Sequence, residues 1–457
     1  MATLQASILR GSMDKLDTSP GRPSFGETTS TFARIGLLSF GGPAGQIALM
    51  HKVLVDEKRW LDEARFLHAL NYCMLLPGPE AMQLATYCGW LLHGVRGGLM
   101  AGLLFVLPGA VLLTALSAAY LFVGDVPLVQ GLLFGLKAAV LAVVLEALVK
   151  VSKRALKDGV AVAIAIAAFV GLAVFKLPFP LIILAAALFG AARHVLRPES
   201  GKAAGKPEQA ALAIEMPEWT KPGWRRFVST LVVWLAIWLI PLAGLHLLLG
   251  GGNVFTVEAV FFSKMAMVTF GGAYAVLAYV AQQAVEVHGW LRPDEMLTGL
   301  GLAETTPGPL ILVLVFVGFL GGARLSGLDA LTGGLLGAAV TLWFTFVPCF
   351  LWIFVGAPYV ETVRNVRWLA SALAAVTAAV VGIIANLAVW FALHVLFSRM
   401  GSWTLGPATL PAPDFASFDL AAAMIALAAG VALIRYHVNL VAVLAAAAIA
   451  GMVWTLA

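Results

Sequence analysis

Two cations and two carboxylates stand beside breaks in otherwise apolar segments. Arg34 and Lys264 each precede a Phe-Gly-Gly string, Phe40-Gly41-Gly42 and Phe270-Gly271-Gly272, by six positions. Glu80 directly follows Pro77-Gly78-Pro79, and Glu304 precedes Pro307-Gly308-Pro309 by three positions. A helix that restarts after such a break offers free N–H groups and the positive end of its dipole, which together with nearby cations suit a small dianion. Proline fits the first helical turn, so restarts are expected after Pro43, Pro79, Gly272 and Pro309. Carboxylates at membrane depth can carry a proton, which makes Glu80 and Glu304 candidates for coupling to a proton gradient. Gln46, Gln83, Thr305 and Thr306 supply hydrogen-bonding groups at the same breaks, although Thr hydroxyls often bond back to their own helix. Each charge also has a plainer role open to it. Arg34 and Lys264 can snorkel to the interface, Glu80 can stabilise a helix N-terminus, and Glu304 can pair with Lys264.

The elements that must position these residues are membrane helices. The chain is 61% hydrophobic and 12% charged over 457 residues, with a mean hydropathy of +0.94. Its apolar runs of about 20 residues each suffice to cross about 30 Å of hydrocarbon. Uninterrupted runs predict spanning helices at 98–123, 128–150, 159–175, 179–196, 226–249, 330–355, 368–396, 419–435 and 438–456. Segments 29–50, 64–92, 256–284 and 295–320 are interrupted at the glycine and proline strings, where a membrane helix should stop and restart. No strand is required. The polar, mixed-charge start Met1 to Glu27 lacks the pattern of a secretory signal. The basic balance, pI about 9.1, comes from residues flanking apolar spans, so topology explains it and nucleic acid does not. Cys73, Cys88 and Cys349 have no metal-ligand spacing and read as buried thiols, so neither metal nor cofactor is expected. A phosphate-binding Gly-x-x-x-x-Gly-Lys loop and a nucleophile–base pair are both missing, which argues against an ATPase or other enzyme.

The breaks fall in one internal register. Phe40-Gly41-Gly42 matches Phe270-Gly271-Gly272, Trp60-Leu61 matches Trp290-Leu291, and the two Pro-Gly-Pro strings match, all displaced by 230 positions. Phe32 and Arg34 match Phe262 and Lys264 likewise, and the register loosens after about residue 95. The loop with Lys52, Lys58, Arg59 and Arg65 is basic, whereas its counterpart holds Arg292 amid Glu286, Asp294 and Glu295. Basic loops stay in the cytoplasm, so the two equivalent loops should face opposite sides. An extra helix at 226–249 would turn the second half over. The basic loop stays inside if the broken segments are re-entrant hairpins, which is the preferred form here. The expected fold is thus an all-α polytopic membrane protein of two inverted-topology repeats with broken or re-entrant helices. Its parts are a cytoplasmic tail (1–27), a first repeat (28–196), a cytoplasmic linker (197–225), a connecting helix (226–249) and a second repeat (254–457). The N-terminus is expected inside and the C-terminus outside.

Ser39-Phe40-Gly41-Gly42-Pro43 with Gln46-Ile47, Trp60-Leu61, and Asn71 through Pro77-Gly78-Pro79-Glu80-Ala81 with Gln83-Leu84-Ala85 resemble the signature of the chromate transporter family. Phe270-Gly271-Gly272-Ala273-Tyr274 and Glu304-Thr305-Thr306-Pro307-Gly308-Pro309-Leu310 resemble its C-terminal counterpart, as in the long-chain, two-domain members. Gly45 and Cys88 depart from the pattern and affect local packing only. The resemblance implies chromate efflux across the bacterial inner membrane, conferring chromate resistance and driven by the membrane potential or proton gradient rather than ATP. Sulfate is the competing tetrahedral dianion, and transport of sulfate or another oxyanion is the alternative. Expected partners are chromate, sulfate as an alternative cargo and the lipid bilayer. Oligomeric state stays open, a homodimer included.

Overall fold

The computed structural model describes residues 23–196, 218–270, 272–360, 367–405 and 408–457. The expected tail up to residue 22, the linker from 197 to 217, and Gly271 lie outside the described residues.

Polar caps and proline-glycine strings set the helix limits. Ser24 Oγ accepts from the Glu27 N–H at 3.2 Å and opens α1 (Phe25–Leu38). After the first break comes α2 (Gly42–His51), which runs into a wider π-helical turn at Lys52–Glu57. Asp62 caps α3 (Glu63–Cys73), and α4 (Glu80–Val123) restarts after the second break. The first half closes with α5 (Pro127–Ala155), α6 (Gly159–Ala173) and α7 (Phe179–Leu196). Helix α8 (Trp224–Leu249) connects the halves. The second half contains α9 (Val254–Val268), α10 (Ala273–Ala281) with a π turn at Gln282–Val287, and α11 (Pro293–Glu304). It continues with α12 (Leu310–Leu325, its first turn a 3-10 turn), α13 (Ala330–Gly356), α14 (Arg367–Leu396), α15 (Leu420–Gly430) and α16 (Leu440–Leu456).

The repeat extends to single backbone bonds. Lys58 N–H reaches Val53 O and Trp60 N–H reaches Leu54 O, both at 2.9 Å. In the second half His288 N–H reaches Gln283 O at 2.9 Å and Trp290 N–H reaches Ala284 O at 2.8 Å. The loosening of the register is located too. Helix α4 passes through a kink at His93 and Gly94, whereas the second half breaks into α12 and α13 across Ser326 to Asp329. Beyond that point equivalent residues are 240 apart, as Pro108 and Pro348 are.

Packing between the halves is reciprocal. Helix α5 lies against α15 and α16, and its counterpart α14 lies against α6 and α7. Small residues permit this: Gly135 meets the Ala447 carbonyl, Gly190 the Ser371 carbonyl and Gly382 the Ala165 carbonyl, leaving no room for a methyl group. Each half thus packs its long helix against the closing helices of the other half.

Among the described residues, six helices are long and apolar enough to cross a membrane: Glu80–Val123, Pro127–Ala155, Phe179–Leu196, Trp224–Leu249, Ala330–Tyr359 and Trp368–Leu396. Helix α8 shows the membrane character most openly, with Leu247 81% and Leu248 85% exposed. The half-helices α1, α2, α9 and α10 have at most 15 residues, hence about 22 Å of rise against about 30 Å of hydrocarbon, so none crosses alone. The chain is an all-α polytopic membrane protein with one addition. Strands β1 (Met400–Leu405) and β2 (Ala408–Pro413) pair antiparallel between α14 and α15, where no strand was expected. Pro411 and Pro413 disfavour a helix there, and paired strands satisfy the backbone instead.

Candidate substrate site at four helix breaks

The four breaks repeat one local geometry. Ser39 (φ −78°, ψ 70°) ends α1 and Thr269 (φ −77°, ψ 81°) ends α9. Gly41 (φ 85°) and Gly272 (φ 97°) then turn the chain in left-handed conformations that side chains disfavour. Gly78 (φ 124°) and Gly308 (φ 96°) do the same inside the Pro-Gly-Pro strings. Helices restart at Glu80, Ala273 and Leu310, as expected, and at Gly42, where Pro43 lies inside the first turn rather than before it, and no side chain caps any of the four.

Two hydrogen bonds then join the halves crosswise. The Gly78 N–H donates to Thr269 O at 2.8 Å, and the Gly308 N–H donates to Ser39 O at 2.8 Å. Since Ser39 corresponds to Thr269 and Gly78 to Gly308, each half's Pro-Gly-Pro holds the other half's helix end. The backing residues are exchanged likewise, Gly109 facing the Pro307 carbonyl and its counterpart Cys349 facing Gly78. Two glutamines, both supplied by the first half, brace the breaks. Gln46 Nε2 donates to Gly308 O at 2.6 Å and to Ser39 O at 3.3 Å, and Gln83 Nε2 donates to Pro77 O at 2.8 Å. Their counterparts are Val276 and Val313, so the junction is symmetric in backbone but not in side chains. Both glutamine Oε1 atoms are buried without a partner. Gly308 and its flanking prolines are buried, while Pro77 is half-buried and Gly41 exposed.

The charged candidates fall in three places. Arg34 and Lys264 occupy exposed faces of α1 and α9, and the structure does not bring them to the breaks. Glu304 is buried and accepts from the Tyr274 hydroxyl at 2.5 Å, so the alternative pairing with Lys264 is overturned. Glu80 opens α4, the place its helix-stabilising role required, within reach of the Arg154 charge. Glu304 lies within reach of both the Glu146 and Lys150 charges of α5, which are of opposite sign. The hydroxyls of Thr305, Thr306 and Thr269 bond back to Leu302 O, Ala303 O and Met265 O. Lys137 finds its carboxylate in Asp294 at 3.2 Å, and Glu146 pairs with Lys150. Cys73, Cys88 and Cys349 are buried free thiols, and the described residues contain no cluster of metal-ligand type.

Sequence reasoning missed three features. Glu295 is fully buried and held by Arg324 at 2.7 and 2.8 Å and by the Tyr120 hydroxyl at 3.0 Å. Only a three-dimensional fold brings α12, α4 and α11 together there. Tyr274 stands two residues after the second Phe-Gly-Gly string, which was its signal. Glu258 is buried in α9 with both oxygens unbonded, and its signal was being the sole carboxylate in the apolar run 254–268.

The chain matches the chromate transporter family over residues 26–191 and 258–452, one region in each half. It is 31% identical over 392 residues to a chromate transport protein of Pseudomonas aeruginosa, covering 85% of each chain. It is 28% identical over 403 residues to a probable chromate transport protein of Synechococcus elongatus, covering 85% of this chain and 92% of the relative. A chromate transport protein of Cupriavidus metallidurans is 25% identical over 371 residues, or 77% of this chain and 79% of the relative. No solved structure matches. With both halves matched, and with the breaks that carry the family strings joined crosswise at their core, the chain belongs to the chromate transporter family.

Proposed function

We propose that the protein is a secondary active transporter that exports chromate from the bacterial cytoplasm and holds the dianion at the restarts of α2, α4, α10 and α12. The observation that carries this is the pair of crossed bonds, Gly78 to Thr269 and Gly308 to Ser39, which gathers four uncapped helix starts around one junction. Uncapped N–H groups at membrane depth suit an anion, because the dipoles supply positive potential without a fixed counter-charge. The backbone of Gly41, Gly42, Pro43, Pro77, Gly78, Pro79, Gly272, Pro307, Gly308 and Pro309 forms the frame. Gln46 and Gln83 hold it in shape. Arg34 and Lys264, exposed before the breaks, act on the anion as it approaches. Glu80 and Glu304, both near the charged end of α5, are the proton-coupling groups in this scheme. The single connecting helix α8 supports inverted halves, with the N-terminus in the cytoplasm.

The test is uptake of radiolabelled chromate by inverted vesicles, with and without excess sulfate, for wild type and Arg34→Ala, Lys264→Ala, Glu80→Gln and Glu304→Gln. Wild type should concentrate chromate, and at least one cation and one carboxylate variant should abolish uptake while remaining in the membrane. Preference for sulfate would reassign the cargo. Normal uptake by all four variants would remove these charges from the mechanism. Cysteines at Lys58 and Glu286 should label from opposite sides, and labelling from one side would overturn the inversion.

A further inference from the structure

Glu258 is fully buried, and neither of its carboxyl oxygens has a hydrogen-bond partner. Its space is made by glycines on two of the three helices that α9 packs against, α12 and α13, the third being α8. A methyl group at Gly321 of α12 would lie 2.7 Å from Glu258 Oε1, and one at Gly337 of α13 would lie 3.3 Å from Oε2. The Trp290 ring packs beside the same spot on Gly321. In the first half the equivalent position is Thr28, whose hydroxyl is satisfied by His93 Nε2 at 2.9 Å. Only the second half leaves the group at this crossing unbonded.

Charged and titratable groups on the surrounding elements do not pair with it. Lys264 of α9 points outward, and Arg324 of α12 is committed to Glu295. His288 stacks on Trp290 at 4.5 Å, Arg226 of α8 donates to Trp219 O, and α8 also carries Arg225 and, at its far end, His246. Helix α13 contributes only the Cys349 thiol, which donates to Thr345 O. An ionised carboxylate cannot persist unpaired in such a place, so the group rests as a neutral acid. Glu304 has the Tyr274 hydroxyl and Glu80 the Arg154 charge, which leaves Glu258 the acid whose state depends most on whether its niche is open.

We infer that Glu258, in the glycine niche between α9, α12 and α13, is a proton-binding site whose loading and unloading accompany anion transport. This deepens the proposed function and rests on it. When α9 parts from the α12–α13 crossing, water enters, the carboxyl O–H bond breaks and the proton passes to that water. Closure requires the O–H bond to re-form with a proton from water on the opposite side. Each emptying and refilling of this site therefore carries one proton against the anion, beside any carried by Glu80 or Glu304, and consumes nothing else.

Two measurements test it. Full-length protein is treated with dicyclohexylcarbodiimide, which modifies protonated carboxyls in apolar surroundings, across a pH series, and adducts are mapped by peptide mass spectrometry. Labelling at Glu258 that declines as pH rises is expected. Its absence while Glu80 or Glu304 is labelled would overturn the inference. In proteoliposomes, Glu258→Gln is compared with wild type for exchange of labelled against unlabelled chromate and for accumulation driven by an imposed pH gradient. The ratio of gradient-driven to exchange flux should fall at least about tenfold, with partial recovery in Glu258→Asp. An unchanged ratio would overturn the proton site. If Glu258→Gln fails to insert, labelling of the wild type decides. If wild type exchanges no chromate, the transport function fails, while labelling still reports on Glu258.

Discussion

Replacing Gly78 by alanine strikes the crossed junction at the donor of one of its two bonds. At φ 124° an L-residue is strained, which costs about 1–3 kcal/mol. The added methyl would lie 2.8 Å from Gln83 Nε2 and 2.9 Å from Cys349 Sγ, where ordinary contact begins at 3.4 Å. Gln83 can swing aside by giving up its bond to Pro77 O. Cys349 sits on helix α13 and cannot, so the loop must retreat by about half an ångström, and such overpacking costs about 1–3 kcal/mol. The same retreat stretches the 2.8 Å bond from the Gly78 N–H to Thr269 O toward the limit of a useful hydrogen bond. The total is about 2–6 kcal/mol, read as a lower unfolding midpoint in detergent together with loss of chromate flux in vesicles. Gly327→Ala is the control, because Gly327 has φ 74° with nothing within 4 Å of an added methyl and lies outside the breaks. It should show backbone strain alone and transport normally. If Gly78→Ala melts and transports like Gly327→Ala, the crossed junction does not hold the site.

Arg324→Leu takes the two Arg324 hydrogen bonds from the buried Glu295 carboxylate, leaving it Arg292 at 3.1 Å and the Tyr120 hydroxyl, and should cost about 1.5–3 kcal/mol in detergent unfolding, with part of it recovered in the double variant with Glu295→Leu. Tyr274→Phe removes the hydroxyl that Glu304 accepts and should cost about 1–3 kcal/mol in the same assay. The Ala161 N–H, and after it the Arg193 guanidinium, hold the exposed Asp158 carboxyl below the usual carboxylate range. The cap it places on α6 is therefore fully present above that range and lost as pH falls through the lower folded value. Asp158→Asn should flatten the acid limb of a melting-versus-pH curve, and an unchanged limb would assign that loss to other groups.

Spans, breaks and repeat were legible because each leaves a local mark. Apolar length marks α5, α7 and α14, and Gly and Pro mark positive-φ turns that other residues resist. The fixed displacement of 230 positions predicted equivalences that hold down to the π turns after α2 and α10. Side-chain partners were not legible, since they depend on which face of a helix meets which neighbour. Arg34 and Lys264 share a register position yet turn outward, and Glu304 meets Tyr274 rather than Lys264. Gln46 and Gln83 were recognised as polar groups at the breaks, but their donors are spent on the carbonyls of Gly308 and Pro77. The paired strands β1 and β2 escaped notice because they have neither helical period nor apolar length. Glu258 escaped because an isolated carboxylate in an apolar run says nothing of the glycines that house it.

The crossed bonds also set a timetable for synthesis. Gly78 leaves the ribosome roughly 190 residues before Thr269, which at about 5–20 residues per second is a wait of about 10–40 seconds. Until then the first Pro-Gly-Pro has no carbonyl to take its amide, and the opening half must stay loosely assembled in the lipid. A truncation after α7 should for that reason yield a protease-sensitive fragment that tightens when the second half is supplied as a separate chain.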